Sequence, residues 1–230
     1  MSSRPVNPTP ADIDILEKHQ LFSGFTRAEI IKALSAFGAH VRRFGKGSVV
    51  VREGASADWL VIVLSGKLSV YELIARDERH LVRPVMAGQL FGGTLVTSNC
   101  KCYPGLAVAV EETRTVFLSI PRIQSSGTDR RYAVLFRNLY SIVSEDVLRC
   151  WRKMSIMACT KAEDRVKLLM NWVASKTGQS EFDVPFNTTE ELAQFLAVSR
   201  TALSLAINRL VRRGEIAHPA RRRFAIHAPK

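Results

Sequence analysis

No run of apolar residues approaches the roughly 18 that a membrane-spanning helix requires, so no membrane partner is expected. Met1–Pro10 is polar and proline-bearing and lacks the apolar stretch of an export signal, so it reads as a flexible arm. Only four cysteines occur (Cys100, Cys102, Cys150 and Cys159), too few and too uneven for a disulfide scaffold. Reduced thiols and a cytoplasmic protein follow as expectations. His19, His40, His80, His218 and His227 are dispersed, and the one C-x-C pair supplies only two ligands. Neither a metal centre nor a cofactor is therefore expected, with haem on His40 or His80 the weaker variant. A dithiol switch at Cys100 and Cys102 requires that their loop be exposed. No His-x-His pair with a downstream Glu is present, and no Ser/His/Asp or Cys/His set is apparent. That argues against an enzyme and leaves a cupin-like metalloenzyme as the alternative class.

What the chain does have is basic charge, with a net of +12 over 230 residues and 47% hydrophobic content. That content excludes disorder, and the length suits two compact cores. The charge gathers toward the end. Residues 188–230 hold eight Lys/Arg against three Asp/Glu. There Thr188 and Glu191 have capping-box spacing before the apolar Leu192, Ala193 and Leu196, which predicts a short helix over Thr188–Leu196. Ala197–Ser199 is long enough only for a turn. Ser199 then caps a second helix to about Arg213, ended by Gly214. Its apolar face is Ala202, Leu203, Ala206, Ile207 and Leu210, while Arg200, Thr201, Ser204, Asn208 and Arg212 point elsewhere. Ile216–His218 and Phe224–His227 read as a hairpin whose loop carries three consecutive arginines. Two helices, a tight turn and a basic wing suit insertion into the major groove of double-stranded DNA.

Earlier in the chain the pattern differs. Ser48–Arg52, Trp59–Leu64, Lys67–Leu73, His80–Met86, Leu106–Val110 and Thr113–Ile120 are β-rich runs punctuated by glycine, as in a small sandwich or barrel. Beyond Thr128–Asp129 the sequence turns helical to Met157. Phe136, Tyr140, Val143, Val147, Cys150, Met154 and Met157 form an a/d seam, and Leu135, Leu139 and Ile142 form a second apolar stripe. A helix apolar on two faces needs two neighbours, its own domain and a symmetry mate, so a homodimer is expected. Thr160, with Glu163, is expected to cap a further helix, Lys161–Ser175.

The order of roll, long helix and winged helix-turn-helix resembles the cyclic-AMP receptor protein/fumarate-nitrate regulator family of transcription factors. The resemblance runs over about residues 18–228. It is carried by Leu21–Phe25 and Ala28–Ile30, by Gly47–Val50, Glu53–Gly54 and Leu60–Gly66, by Gly88–Gly92, and by Ser199–Arg200. It implies an α+β protein with a cyclic-nucleotide-binding-like β-roll at 1–128, a dimerisation helix at 129–158 and a winged helix-turn-helix DNA-binding domain at 159–230. Allosteric control by a small effector, a palindromic operator and contact with RNA polymerase are also implied.

The chain departs from the cyclic-nucleotide pattern of that family. The Glu that accepts from the ribose hydroxyl falls on Gly93, and the Arg-Ser pair that neutralises the phosphate falls on Gly105–Leu106. A phosphodiester buried without its cation is costly, so an effector other than cyclic AMP is expected, with Lys101 the nearest substitute cation. A cyclic-nucleotide-responsive or a thiol-responsive regulator are the alternatives. The expected effector set is Gly92, Gly93, Thr94, Tyr103, Pro104, Gly105, Tyr140, Cys150 and Trp151. The expected DNA-contacting set is Thr188, Thr189, Ser199, Arg200, Thr201, Ser204, Leu205, Asn208, Arg221 and Arg222. By family position Arg200 meets a guanine, while Thr201 and Leu205 replace a Glu and an Arg, lowering G·C readout per half-site.

Overall fold

The computed structural model describes residues 4–75, 78–126, 130–220 and 222–226. Its internal contacts divide the chain into two units, Met1–Val147 and Leu148–Lys230.

The first unit is built on two four-stranded antiparallel sheets. One has the order β1–β8–β3–β6, formed by His40–Phe44, Thr113–Ser119, Trp59–Ser65 and Leu90–Phe91. The other has the order β2–β7–β4–β5, formed by Val49–Val51, Leu106–Ala109, Lys67–Ala75 and Glu78–Met86. The expected runs became strands, and β1 and β6 were added to them. Leu60, Ile62, Leu68, Val85, Ala107, Val116 and Leu118 fill the interior between the sheets. Burial of such side chains is worth about 1.5–3 kcal/mol each and holds the roll together.

Two helices precede the roll. Helix α1 (Pro10–Glu17) begins with a capping box between Thr9 and Asp12 and has Pro10 in its first turn. Helix α2 (Arg27–Ala36) repeats the device with Thr26 and Glu29. Between them lies a 3-10 turn, Gln20–Phe22. Asp12 is fully buried, and its carboxylate also holds Arg114 of β8 at 2.6 Å. The expectation of a flexible arm is corrected here. Val6 pairs with Val41 through two backbone bonds of 3.0 and 2.7 Å, so the described part of the arm extends a sheet edge.

After β6 come a short helix α3 (Gly93–Thr97) and, after β8, α4 (Ile120–Ser125). Helix α5 then runs from Arg130 to Ala158, and the division between units falls within it. Leu135, Leu139 and Ile142 are buried in the core of the first unit, as the second stripe requires. Asn138 on the same face donates from Nδ2 to the carbonyls of Leu21 (3.1 Å) and Ser23 (2.8 Å).

The second unit contains α6 (Ala162–Thr177), α7 (Thr189–Phe195) and α8 (Arg200–Arg212). A three-stranded sheet, ordered β10–β11–β9, joins Ile216–Ala220, Arg223–Ile226 and Glu181–Asp183. The cap of α6 differs from expectation. Lys161, not Thr160, takes the N-cap position without a side-chain bond. Glu163 instead accepts from Arg209 of α8 at 2.9 Å, and that bond draws its carboxyl below the usual range.

Candidate functional site

The helix-turn-helix is assembled by local chemistry. The Thr188 hydroxyl accepts from the Glu191 N–H at 3.0 Å and starts α7. The Glu191 carboxylate reaches one residue further back than a capping box does, to the Asn187 N–H. Ser199 accepts from the Ala202 N–H at 3.1 Å and starts α8. Gly214, at φ +70°, follows the C-cap Arg213. Leu203, Ala206, Ile207 and Leu210 are buried, which fixes the rotation of α8 about its axis. The opposite face is left to solvent.

That face carries the expected DNA contacts. Ser199, Arg200, Thr201, Ser204, Leu205 and Asn208 are all exposed, and the Arg200 side chain is 70% accessible. Thr188 and Thr189 are half-buried at the start of α7, and the Thr188 hydroxyl is already committed to its cap. Arg222 is exposed beside the wing strands, while Arg221 lies outside the described residues. The wing is tighter than expected, because β10 and β11 extend to Ala220 and Arg223. Arg223 pairs with Glu181 of β9 at 2.5 Å. One contact was not foreseen. Glu190 lies 3.7 Å from the Arg200 guanidinium.

The turn is braced from outside the motif. Arg165 of α6 donates to the carbonyls of Leu196 (2.8 Å) and Ala197 (3.0 Å), and also to those of Cys159 (2.9 Å) and Met157 (3.4 Å). It thereby satisfies carbonyls at the ends of α5 and α7, which helices leave unpaired. The Lys153 ammonium sits 4.4 Å from the centre of the Phe195 ring.

At the two positions where the cyclic-nucleotide pattern is lost, neighbouring atoms already take up the space that a side chain would enter. Gly93 is buried, and a Cβ there would lie 2.8 Å from Leu90, 3.3 Å from Val143 and 3.4 Å from Leu139. Apolar side chains thus crowd the place where a carboxylate would begin. Gly105 is also buried, and a Cβ there would meet the Tyr71 carbonyl at 2.7 Å. No larger residue fits without a backbone shift. Gly92 is left-handed at φ +87° and is the N-cap of α3.

The rest of the expected effector set divides. The Tyr103 hydroxyl donates to the Trp59 carbonyl at 2.5 Å and accepts from the Trp59 N–H at 3.1 Å, and burial pushes its pKa up to about 12. Its ring stacks on Phe91. Thr94, Pro104 and Cys150 are exposed. Tyr140 and Trp151 are 72% and 68% exposed, in line with Val147, Leu148 and Met154 along α5. Arg83, which the sequence did not single out, donates to the Leu90 carbonyl at 2.9 Å and lies 3.5 Å from Asp146 of α5.

Residues 41–125 match the cyclic nucleotide-binding domain family. No curated protein matches the chain. Among solved structures, FixK2 from Bradyrhizobium japonicum superimposes with a TM-score of 0.67 at 16% identity, over 83% of this chain and 93% of that one. The c-di-GMP-responsive global regulator CLP of Xanthomonas campestris gives 0.66 at 19% identity, over 88% and 100%. A CRP-family transcriptional regulator from Thermus thermophilus gives 0.58 at 20% identity, over 80% and 90%. The chain shares the fold of these three structures. The family match falls wholly within the first unit, on the strands of the roll.

Among the described residues no three His, Cys, Asp or Glu side chains converge as metal ligands. His40 is packed on Phe117 and Trp59, and burial lowers its pKa. No described helix is long and apolar enough to cross a membrane.

Proposed function

We propose that the chain is a sequence-specific DNA-binding transcriptional regulator that acts as a homodimer under the control of a small effector other than cyclic AMP. The observation that carries this reading is the exposed polar face of α8, from Ser199 to Asn208, beside the basic wing. Charge supports it, since residues 148–230 hold 15 Lys/Arg against 7 Asp/Glu. The homodimer is supported by the exposed stripe Tyr140, Val147, Leu148, Trp151 and Met154, an apolar row of the kind that marks an interaction surface. This reading moves Tyr140 and Trp151 from the effector pocket to the dimer face. An effector other than cyclic AMP is supported by the packing around Gly93 and Gly105, which leaves no side chain for ribose or phosphate at either position.

Selection from random double-stranded DNA tests the reading. A palindrome with half-site centres about one helical turn apart is expected. Failure to enrich any sequence would reject it. A thiol-responsive regulator is the second reading, favoured by the exposure of both Cys100 and Cys102. DNA binding unchanged after alkylation of both would remove it.

A further inference from the structure

The first unit holds a cleft of about 250 Å³ away from the cassette, lined by Asp14, Ile15, Lys18, His19 and Gly88. Its walls come from the end of α1, the start of the 3-10 turn and the turn between β5 and β6. His19 is 5% exposed. Its Nδ1 accepts from the Leu21 N–H at 3.0 Å, so a neutral ring must carry its proton on Nε2. Burial keeps the ring neutral, with a pKa of about 4. Nε2 is buried and has no hydrogen-bond partner among the described residues. A buried N–H without an acceptor is costly and rare, which makes it the mark of an absent partner.

The other cleft residues narrow what that partner is. It must accept a hydrogen bond. The exposed Lys18 favours a negative charge, whereas Asp14 already holds Arg27 at 2.6 Å. Ile15 supplies an apolar wall. A volume of about 250 Å³ is at the small end for an organic ligand and suits a small acid better than a nucleotide. An Nδ1 that accepts a backbone hydrogen also leaves Nε2 protonated, so it is a donor and not a metal or haem ligand.

We propose that this cleft binds a small monocarboxylate with a short hydrocarbon body. One carboxylate oxygen accepts from His19 Nε2, the other faces Lys18, and the hydrocarbon lies along Ile15. The proposal deepens the regulator reading by locating its effector, and its chemistry does not depend on DNA binding. Nε2 is buried, so the proposed bond requires the turn at residues 19–21 to move. The Leu21 carbonyl of that turn is held by Asn138, which gives the ligand a mechanical route to α5.

The test uses the full chain, with acetate, butyrate and benzoate as probes and benzamide and cyclic AMP as controls. Thermal unfolding and the histidine Nε2–H signal in proton–nitrogen spectra are read together. Butyrate or benzoate is expected to raise the midpoint and move the His19 signal, and benzamide to do neither. Lys18→Gln changes an exposed residue and is expected to weaken binding about tenfold. His19→Asn keeps an oxygen for the Leu21 N–H and is expected to remove the carboxylate preference. Silence from all three acids overturns the site, as does a midpoint shift that leaves both the His19 signal and Lys18→Gln unaffected. A response to cyclic AMP alone overturns both this site and the reading of Gly93 and Gly105. DNA binding measured separately by fluorescence anisotropy keeps the proposals apart, since a chain that binds acid but no DNA retains the cleft and loses the regulator.

Discussion

Arg165 donates to the carbonyl of Ala197, which is the one described non-glycine residue with a positive φ, at +50°. The left-handed backbone costs an alanine about 1 kcal/mol, and the guanidinium helps to hold it there. Removing the brace and relieving the strain should therefore act in opposite directions. Arg165→Ala is expected to destabilise the second unit by about 2–3 kcal/mol, because it strips a charged donor from four carbonyls. Ala197→Gly should gain up to about 1 kcal/mol. Denaturant unfolding followed by circular dichroism reads both, and a loss of stability in Ala197→Gly would contradict the account.

His19 makes stability depend on pH. Its folded pKa of about 4 lies below the unfolded value of 6.5, so the unfolded chain binds the proton first as pH falls. Stability is intact above about pH 6.5 and declines toward pH 4, by about 3 kcal/mol in all. His19→Asn should flatten that part of the curve. An unchanged slope between pH 6.5 and 4 in the variant would assign the titration to another group.

Arg200 and Arg222 should fail differently on DNA. Arg200→Ala is expected to cost about 1–3 kcal/mol and to relax discrimination at one guanine of each half-site. Arg222→Ala should weaken all sequences alike and lower the salt slope by about 1 for each wing. Anisotropy titrations against matched and mismatched sites at several salt concentrations separate the two patterns.

Val147 is 57% exposed, so a charge there costs the fold little. Val147→Glu is expected to leave the melting behaviour of the first unit intact and to convert a dimer to a monomer in sedimentation. A dimer that survives the change would place the interface elsewhere.

Gly93→Glu should not create a cyclic-nucleotide site. The new Cβ begins 2.8 Å from Leu90 and points among Leu139 and Val143. Overpacking of this kind costs about 1–3 kcal/mol, and a buried carboxylate adds to it. Calorimetry with cyclic AMP is expected to show no heat of binding for this variant.

Features written in neighbouring residues were legible. The Ser199 cap, the terminal Gly214 and the buried stripe Leu135, Leu139 and Ile142 all follow from spacing and side-chain type. Strand β1 escaped because Arg42 and Arg43 interrupt its alternation, and β6 because it has only two residues. Thr160 shows a local signal overridden from afar, since Glu163 is taken by Arg209, 46 residues away. On the candidate site, the outer face of α8 could be read from the apolar one. The Tyr71 carbonyl against Gly105 and the uncommitted edge of His19 could not, because each depends on where distant backbone comes to rest.

Asn138 has a consequence for the whole N-terminal segment. Its amide grips two carbonyls of the 19–23 turn while Leu135, Leu139 and Ile142 lie in the core. The turn therefore acts as a bearing that sets the azimuth of α5 and with it the direction in which Tyr140 and Val147 look out. Shortening the chain past Leu21 would strip Val6 from the sheet edge and Asp12 from Arg114, and would also release that azimuth. The cost would appear in the pairing of two copies, far along the helix from the cut.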